Sequence, residues 1–141
     1  TAKGLSGGLP LGATLMSEKV ENVLGFGDHG STFGGNPVVC AGAVEILNRM
    51  NDAFLADVAK KGAYIKDALL NMKHVTDVAG MGMMLGIVLD VHVKPIVNTL
   101  MDNGLLVLTA KHKMRLLPPL NITQEELDKG LDILKETLEK I

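Results

Sequence analysis

An α/β layered fold, α+β in its C-terminal part, follows from three features of the sequence. Helical and strand-like apolar periodicities alternate in the order helix, helix, strand, strand, helix, strand, strand, helix. The composition is that of a chain with a real core: 47% of the 141 residues are apolar, 21% are charged, and the formal net charge is −2. Glycine is unevenly spread, with ten of the sixteen in residues 1–42, a stretch that holds only five of the thirty charged residues. The chain therefore divides near residue 42 into a loop-rich segment, 1–42, and a segment of ordinary helix and strand patterns, 43–141.

Taken in order, Asn36 and Pro37 start the first helix: a capping side chain stands before a ring that pre-sets φ at the first helical position. Apolar residues run from Val38 to Leu47, so this helix is expected to be buried on most sides. A second helix is expected over Asp52–Met72 behind Asn51, with Phe54, Leu55, Val58, Ile65 and Leu69 at helical spacing and lysines opposite. Val75–Val78 and Met83–Val91 read as strands around a bend at Gly80 and Gly82. Lys94–Asn103 reads as a helix stopped by Gly104. Leu105–Thr109 and Met114–Leu117 then read as strands, ended by Pro118 and Pro119, with Lys111, His112 and Lys113 in a solvated turn between them. Thr123 and Glu126 have the spacing of a capping box, and Leu127, Leu131, Leu134 and Leu138 carry a terminal amphipathic helix.

Several function classes drop out. The longest uncharged apolar run, Val78–Leu89, is too short and too glycine-rich to cross a bilayer. No basic stretch followed by an apolar one opens the chain, so it reads as soluble and cytoplasmic. A start at Thr1 without an initiator methionine suggests a piece of something longer. The single cysteine, Cys40, closes no internal disulfide and no zinc cage, and the four histidines are too scattered for a metal site. Near-neutral charge argues against a nucleic-acid surface. With 3% aromatics and no tryptophan, the core must be built from Leu, Val, Ile and the eight Met.

Four places carry possible chemistry. Lys3 lies in Thr1–Ala13, where Gly4, Gly7, Gly8 and Gly12 let backbone and a bulky ligand approach closely. It could form a Schiff base if burial or a neighbouring cation keeps the amine free, or be an ordinary surface lysine. Residues 25–37 place Ser31 and Thr32 among glycines ahead of a helix N-terminus, which describes either an anion cradle or a surface turn whose hydroxyls serve local backbone. Gly80–Gly86 resembles a dinucleotide fingerprint but is one residue too long before its third glycine. A strand pattern also follows where a helix should open, so a bend with core methionines is the better reading. Arg115, with apolar neighbours on both sides, offers a fork that suits a substrate carboxylate, a structural ion pair or an exposed edge. On residues alone, a non-catalytic α/β module with glycine-rich turns remains open beside an enzyme.

In this order and at this distance, Thr1–Ala13, Gly27–Pro37, Gly80–Gly86 and Arg115–Leu120 resemble the pyridoxal-phosphate-dependent aminotransferases of class III. The resemblance covers essentially the whole chain and the C-terminal third of a family member. It implies the C-terminal part of a fold-type I transferase: residues 1–42 as the remnant of a large cofactor-binding domain, and 43–141 as a small domain with a short sheet covered by helices. It implies pyridoxal phosphate as cofactor, an amino acid and a 2-oxo acid as substrates, and a homodimer. Lys3 matches the lysine that holds the cofactor covalently and, once released by the incoming amine, moves the substrate proton. Thr32 matches a residue that hydrogen-bonds the cofactor phosphate, in this family across the homodimer interface, with Ser31 beside it. Arg115 matches an arginine that binds a substrate carboxylate. One departure is Ala79, where the family commonly has arginine. The family's other cofactor contacts precede the lysine: the aspartate on the pyridine nitrogen, the stacked aromatic, the main phosphate loop and a further substrate arginine. The isolated 141-residue chain is therefore expected to be inactive.

Overall fold

The computed structural model describes residues 1–141. They form two compact units, Thr1–Phe54 and Leu55–Ile141. The first unit thus runs twelve residues past the composition shift at residue 42. Within it, α1 (Pro37–Arg49) is tied to the 3₁₀ turn Lys3–Ser6 by the buried Ser6, whose Oγ donates to the Val39 carbonyl at 2.6 Å.

Helix α1 starts as its sequence dictates. Asn36 Oδ1 accepts from the Val38 and Val39 N–H groups, and Pro37 occupies the first turn, where its missing N–H costs nothing. The expected burial of α1 is not observed: only Ala43 is buried, while Val38, Val44 and Leu47 are exposed. Apolar residues around a helix report that it needs cover, and residues 1–54 supply cover on one side only. Cys40, expected in the core, is half-buried.

Helix α2 spans Asp52–Leu70, and Asn51 Oδ1 accepts from the Phe54 N–H at its start. In the second unit Ile65 and Leu69 are buried and Val58 half-buried, as their spacing predicts, whereas Leu55 is exposed. β1 (Val75–Met81) and β2 (Met84–Leu89) form a hairpin whose two-residue turn is Gly82–Met83, with Gly82 at φ 54°. Glycine at the first turn position matches the hairpin twist. Of the turn-region methionines expected in the core, Met83 is buried, but Met81 and Met84 are exposed.

Helix α3 (Val93–Asp102) ends in a Schellman motif. Gly104, at φ 88°, donates to the Met101 carbonyl, and Leu105 N–H donates to that of Leu100 at 2.8 Å. β3 (Leu108–Ala110) and β4 (Lys113–Leu116) form a second hairpin, and α4 (Gln124–Glu139) opens with the expected capping box. Thr123 Oγ accepts from the Glu126 N–H, and the Glu126 carboxylate accepts from the Thr123 N–H at 2.9 Å.

The sheet is antiparallel throughout, in the order β1-β2-β4-β3. Side chains alternate between its faces. Val78, Ile87 and Met114 lie in one cross-strand row and are all buried, together with Leu85 and Leu89. They join Ile65 and Leu69 of α2, Ile96 and Leu100 of α3, and Leu127, Leu131, Leu134 and Leu138 of α4 in one cluster. Each such aliphatic side chain contributes roughly 1.5–3 kcal/mol relative to leaving it in water. The adjacent row points the other way and reads Ala79, Gly86, Arg115, Leu108.

Candidate active site

Lys3 opens the 3₁₀ turn Lys3–Ser6 with φ 59°, a left-handed conformation that costs a non-glycine residue energy. Such strain persists only where the surroundings over-determine it, and here they do. The Ala13 N–H closes the loop on the Thr1 carbonyl at 2.8 Å, Leu9 N–H donates to Ser6 carbonyl, and Gly7 at φ 62° ends the turn. Ser6, 2% exposed, locks the turn to α1. Gly42 permits that approach, since a Cβ there would lie 2.6 Å from Ser6 Oγ and 3.2 Å from the Ser6 carbonyl oxygen. Lys3 itself is exposed.

The second loop leads directly into α1. Asp28 Oδ2 accepts from Gly25 N–H at 2.7 Å, and the Ser31 carbonyl accepts from Gly34 N–H, which leaves Ser31 and Thr32 exposed on a loop with Gly27 and Gly35 at positive φ. The α1 N-terminus is not free to bind an anion in the way the sequence suggested. Asn36 already takes two of its N–H groups, so a phosphate here would depend on the loop hydroxyls and glycine N–H groups instead. Lys3 and the Ser31–Thr32 loop thus share one unit and one helix, α1. Sequence reasoning missed Ser6 and Gly42, because their partners lie more than thirty residues away along the chain.

Arg115, in the second unit, is half-buried on β4 between Gly86 and Leu108. Its Nε is buried and has no hydrogen-bond partner, and the arginine takes part in no ion pair. An unmade hydrogen bond on a buried N–H is costly, and a ligand carboxylate that reached it would satisfy it. The neighbouring residues differ from expectation in one respect. Only Lys111, at φ 58°, and His112 form the exposed turn, while Lys113 is a half-buried strand residue paired with Ala110. Ala79 stands in the same row as Arg115, one strand beyond Gly86. The Gly80–Gly86 segment is a hairpin that runs on into strand β2, so no helix opens at its glycines to receive a dinucleotide phosphate.

The chain belongs to the aminotransferase class-III family, which it matches over residues 1–138. Among proteins of known name it is similar to acetylornithine aminotransferase of Haemophilus ducreyi, with 44% identity over 99% of this chain and 36% of the relative. It is also similar to mitochondrial acetylornithine aminotransferase of Alnus glutinosa, with 46% identity over 97% of this chain and 32% of the relative. Among solved structures, ornithine δ-aminotransferase of Plasmodium falciparum superposes with a TM-score of 0.80 at 35% identity, covering 99% of this chain and 39% of that one. The chain spans about a third of the length of the curated relatives it matches. Aminotransferases of this class use pyridoxal phosphate. No helix is long and apolar enough to cross a membrane.

The residues present fit that cofactor. An exposed lysine amine with no ion-pair partner stands on a turn tied to α1 through Ser6, and two exposed hydroxyls stand on a glycine-rich loop joined to the same helix.

Proposed function

We propose that the protein to which this chain belongs transfers an amino group from N-acetylornithine to 2-oxoglutarate in arginine biosynthesis, as a cytoplasmic homodimer. Lys3 holds pyridoxal phosphate and carries the substrate proton, Thr32 with Ser31 beside it reaches across the homodimer interface to the phosphate of the other subunit's cofactor, and Arg115 binds a substrate carboxylate. When bound, the cofactor withdraws electrons from the substrate carbon whose proton is moved. Residues 1–42 act as the cofactor-facing part of a large domain and 43–141 as the small domain. The 141-residue chain by itself turns over no amine, because the family's other cofactor contacts, which precede the lysine, are not among its residues.

The observation that carries this reading is the strained, tethered Lys3 turn, fixed through Ser6 to the helix that begins where the Ser31–Thr32 loop ends. Such a support fixes the backbone from which the exposed Lys3 side chain extends, and proton transfer at a fixed carbon requires its base to start from a fixed place. The orphaned Arg115 Nε supports the carboxylate assignment. Ornithine is the second reading for the donor, favoured by the similarity in structure to ornithine aminotransferases. An amine-donor panel on the intact enzyme, with 2-oxoglutarate as acceptor, tests the choice. Preference for N-acetylornithine supports it, preference for ornithine or 4-aminobutyrate overturns the donor, and no turnover with any amine returns the protein to a non-catalytic α/β module.

A further inference from the structure

The face of the sheet that carries Arg115 carries a second cation. Lys113 lies two residues earlier on β4, so alternation puts both side chains opposite the fully buried Met114. Gly86, the residue paired with Arg115, has no side chain, and the stem of Lys113 lies over it: its Cδ is 3.4 Å from where a Cβ of residue 86 would stand. Lys113 therefore leans out of its own row toward that of Arg115. Neither cation has a carboxylate at ion-pair distance, and the ion pairs of this unit lie elsewhere. Asp77, the acidic residue of this face on β1, is paired with Val88, a strand beyond.

Two half-buried cations side by side without a counter-ion repel each other, and the buried Arg115 Nε adds an unmade hydrogen bond. An anion seated between them would relieve both. We infer that Lys113 and Arg115 form a two-cation subsite in which Lys113 selects dicarboxylates over monocarboxylates. The inference rests on the reading of Arg115 as a carboxylate receptor. The two roles differ in kind: the planar guanidinium fork fixes the geometry of one carboxylate, whereas the ammonium, a point charge on a flexible stem, responds to how much negative charge is present. Their backbone positions are roughly 7 Å apart, at about 3.3 Å per strand residue. That separation suits a short diacid such as glutarate. Ala79, paired with Gly86 in the same row, has a small side chain that leaves room above the row.

The test is titration of the isotopically labelled 141-residue chain with glutarate and with butyrate, read at the Arg115 Nε–H and Lys113 ammonium signals by NMR. Glutarate is expected to bind roughly 5- to 10-fold more tightly than butyrate at low salt, between what an exposed ion pair and a buried charged hydrogen bond supply. Lys113→Met should reduce glutarate affinity to that of butyrate and leave butyrate unchanged, and Lys113→Arg should restore the preference. Lys113→Gln repeats the test should the methionine variant change the amide spectrum. If butyrate moves Arg115 Nε–H saturably but Lys113→Met leaves the glutarate preference intact, or weakens both ligands equally, the two-cation inference falls while the Arg115 reading stands. If neither ligand moves Arg115 Nε–H, or Arg115→Met binds butyrate as before, the Arg115 reading fails and the subsite with it.

Discussion

Replacing Gly62 by alanine sets two effects of opposite sign against each other. Gly62 lies inside α2, where alanine is favoured over glycine by about 1 kcal/mol. It is also where α2 meets the β1–β2 hairpin tip. A Cβ there would collide with the Gly82 carbonyl oxygen and lie 2.6 Å from the Gly82 carbonyl carbon and 2.9 Å from its Cα. Those atoms are backbone, so no rotamer change relieves the overlap. Restoring ordinary contact at about 3.5–4.0 Å requires the hairpin tip to retreat by roughly 1 Å, a gap that forfeits a quarter to a half of the dispersion energy of the atoms lining it. The tip carries Met83, which is 2% exposed, so its packing is loosened as well. Overpacking of this kind costs up to about 3 kcal/mol; against the helix gain, the net is about 2 kcal/mol of destabilisation and a fall in Tm of roughly 6–10 °C. Gly130→Ala in α4 is the control: its Cβ would meet only the mobile end of Leu105 at 3.4 Å. That variant should gain stability, by roughly 0.5–1 kcal/mol. Thermal unfolding followed by circular dichroism measures both. A Gly62→Ala variant as stable as the parent chain, or more stable, would refute the close approach of α2 to the hairpin.

Thr123→Ala removes the capping box and should cost roughly 0.5–2 kcal/mol in chemical denaturation near neutral pH. The Glu126 carboxyl is held below its usual range by the Thr123 N–H and hydroxyl, so its stabilising share is complete above the unfolded value and is lost as pH falls through the folded one. The gap between Thr123→Ala and the parent should accordingly narrow below about pH 4; a gap that widens there contradicts the box. Tyr64 is the single tyrosine, and its hydroxyl donates to Asp128 at 2.6 Å, which raises its titration above the ordinary phenol range. Asp128→Asn should bring the ultraviolet titration midpoint down, and an unchanged midpoint would remove the contact. Ser6→Ala should speed amide exchange across residues 2–9 while leaving α4 unchanged; unaltered exchange in the loop would mean that Ser6 does not lock it.

What the sequence made legible was local. The Asn36–Pro37 start, the Gly104 stop and the Thr123–Glu126 box are each decided within a few residues, and all three form as read. Periodicity likewise identified the buried faces of α2 and α4, because burial of Ile65, Leu69 and Leu134 requires only that one side of each helix meet apolar neighbours. It could not say how much cover α1 receives, since an all-round apolar helix looks the same whether its partners are present or not. Nor does spacing show that Met83 turns inward while Met81 and Met84 turn out, which depends on the handedness of a two-residue turn. At the site, Lys3, Ser31, Thr32 and Arg115 were readable as motif residues. The devices that support them were not. Ser6 and Gly42 meet across thirty-six positions, and Lys113 leans toward the Arg115 row only because a glycine on another strand leaves space.

The assignment of Lys3 is tested most directly on the intact enzyme purified with its cofactor, by borohydride reduction, digestion and mass spectrometry. A single pyridoxyl group is expected, on the peptide that contains Lys3, and none should be retained stoichiometrically in Lys3→Ala. A label on any other lysine, or one that survives in Lys3→Ala, would contradict the account.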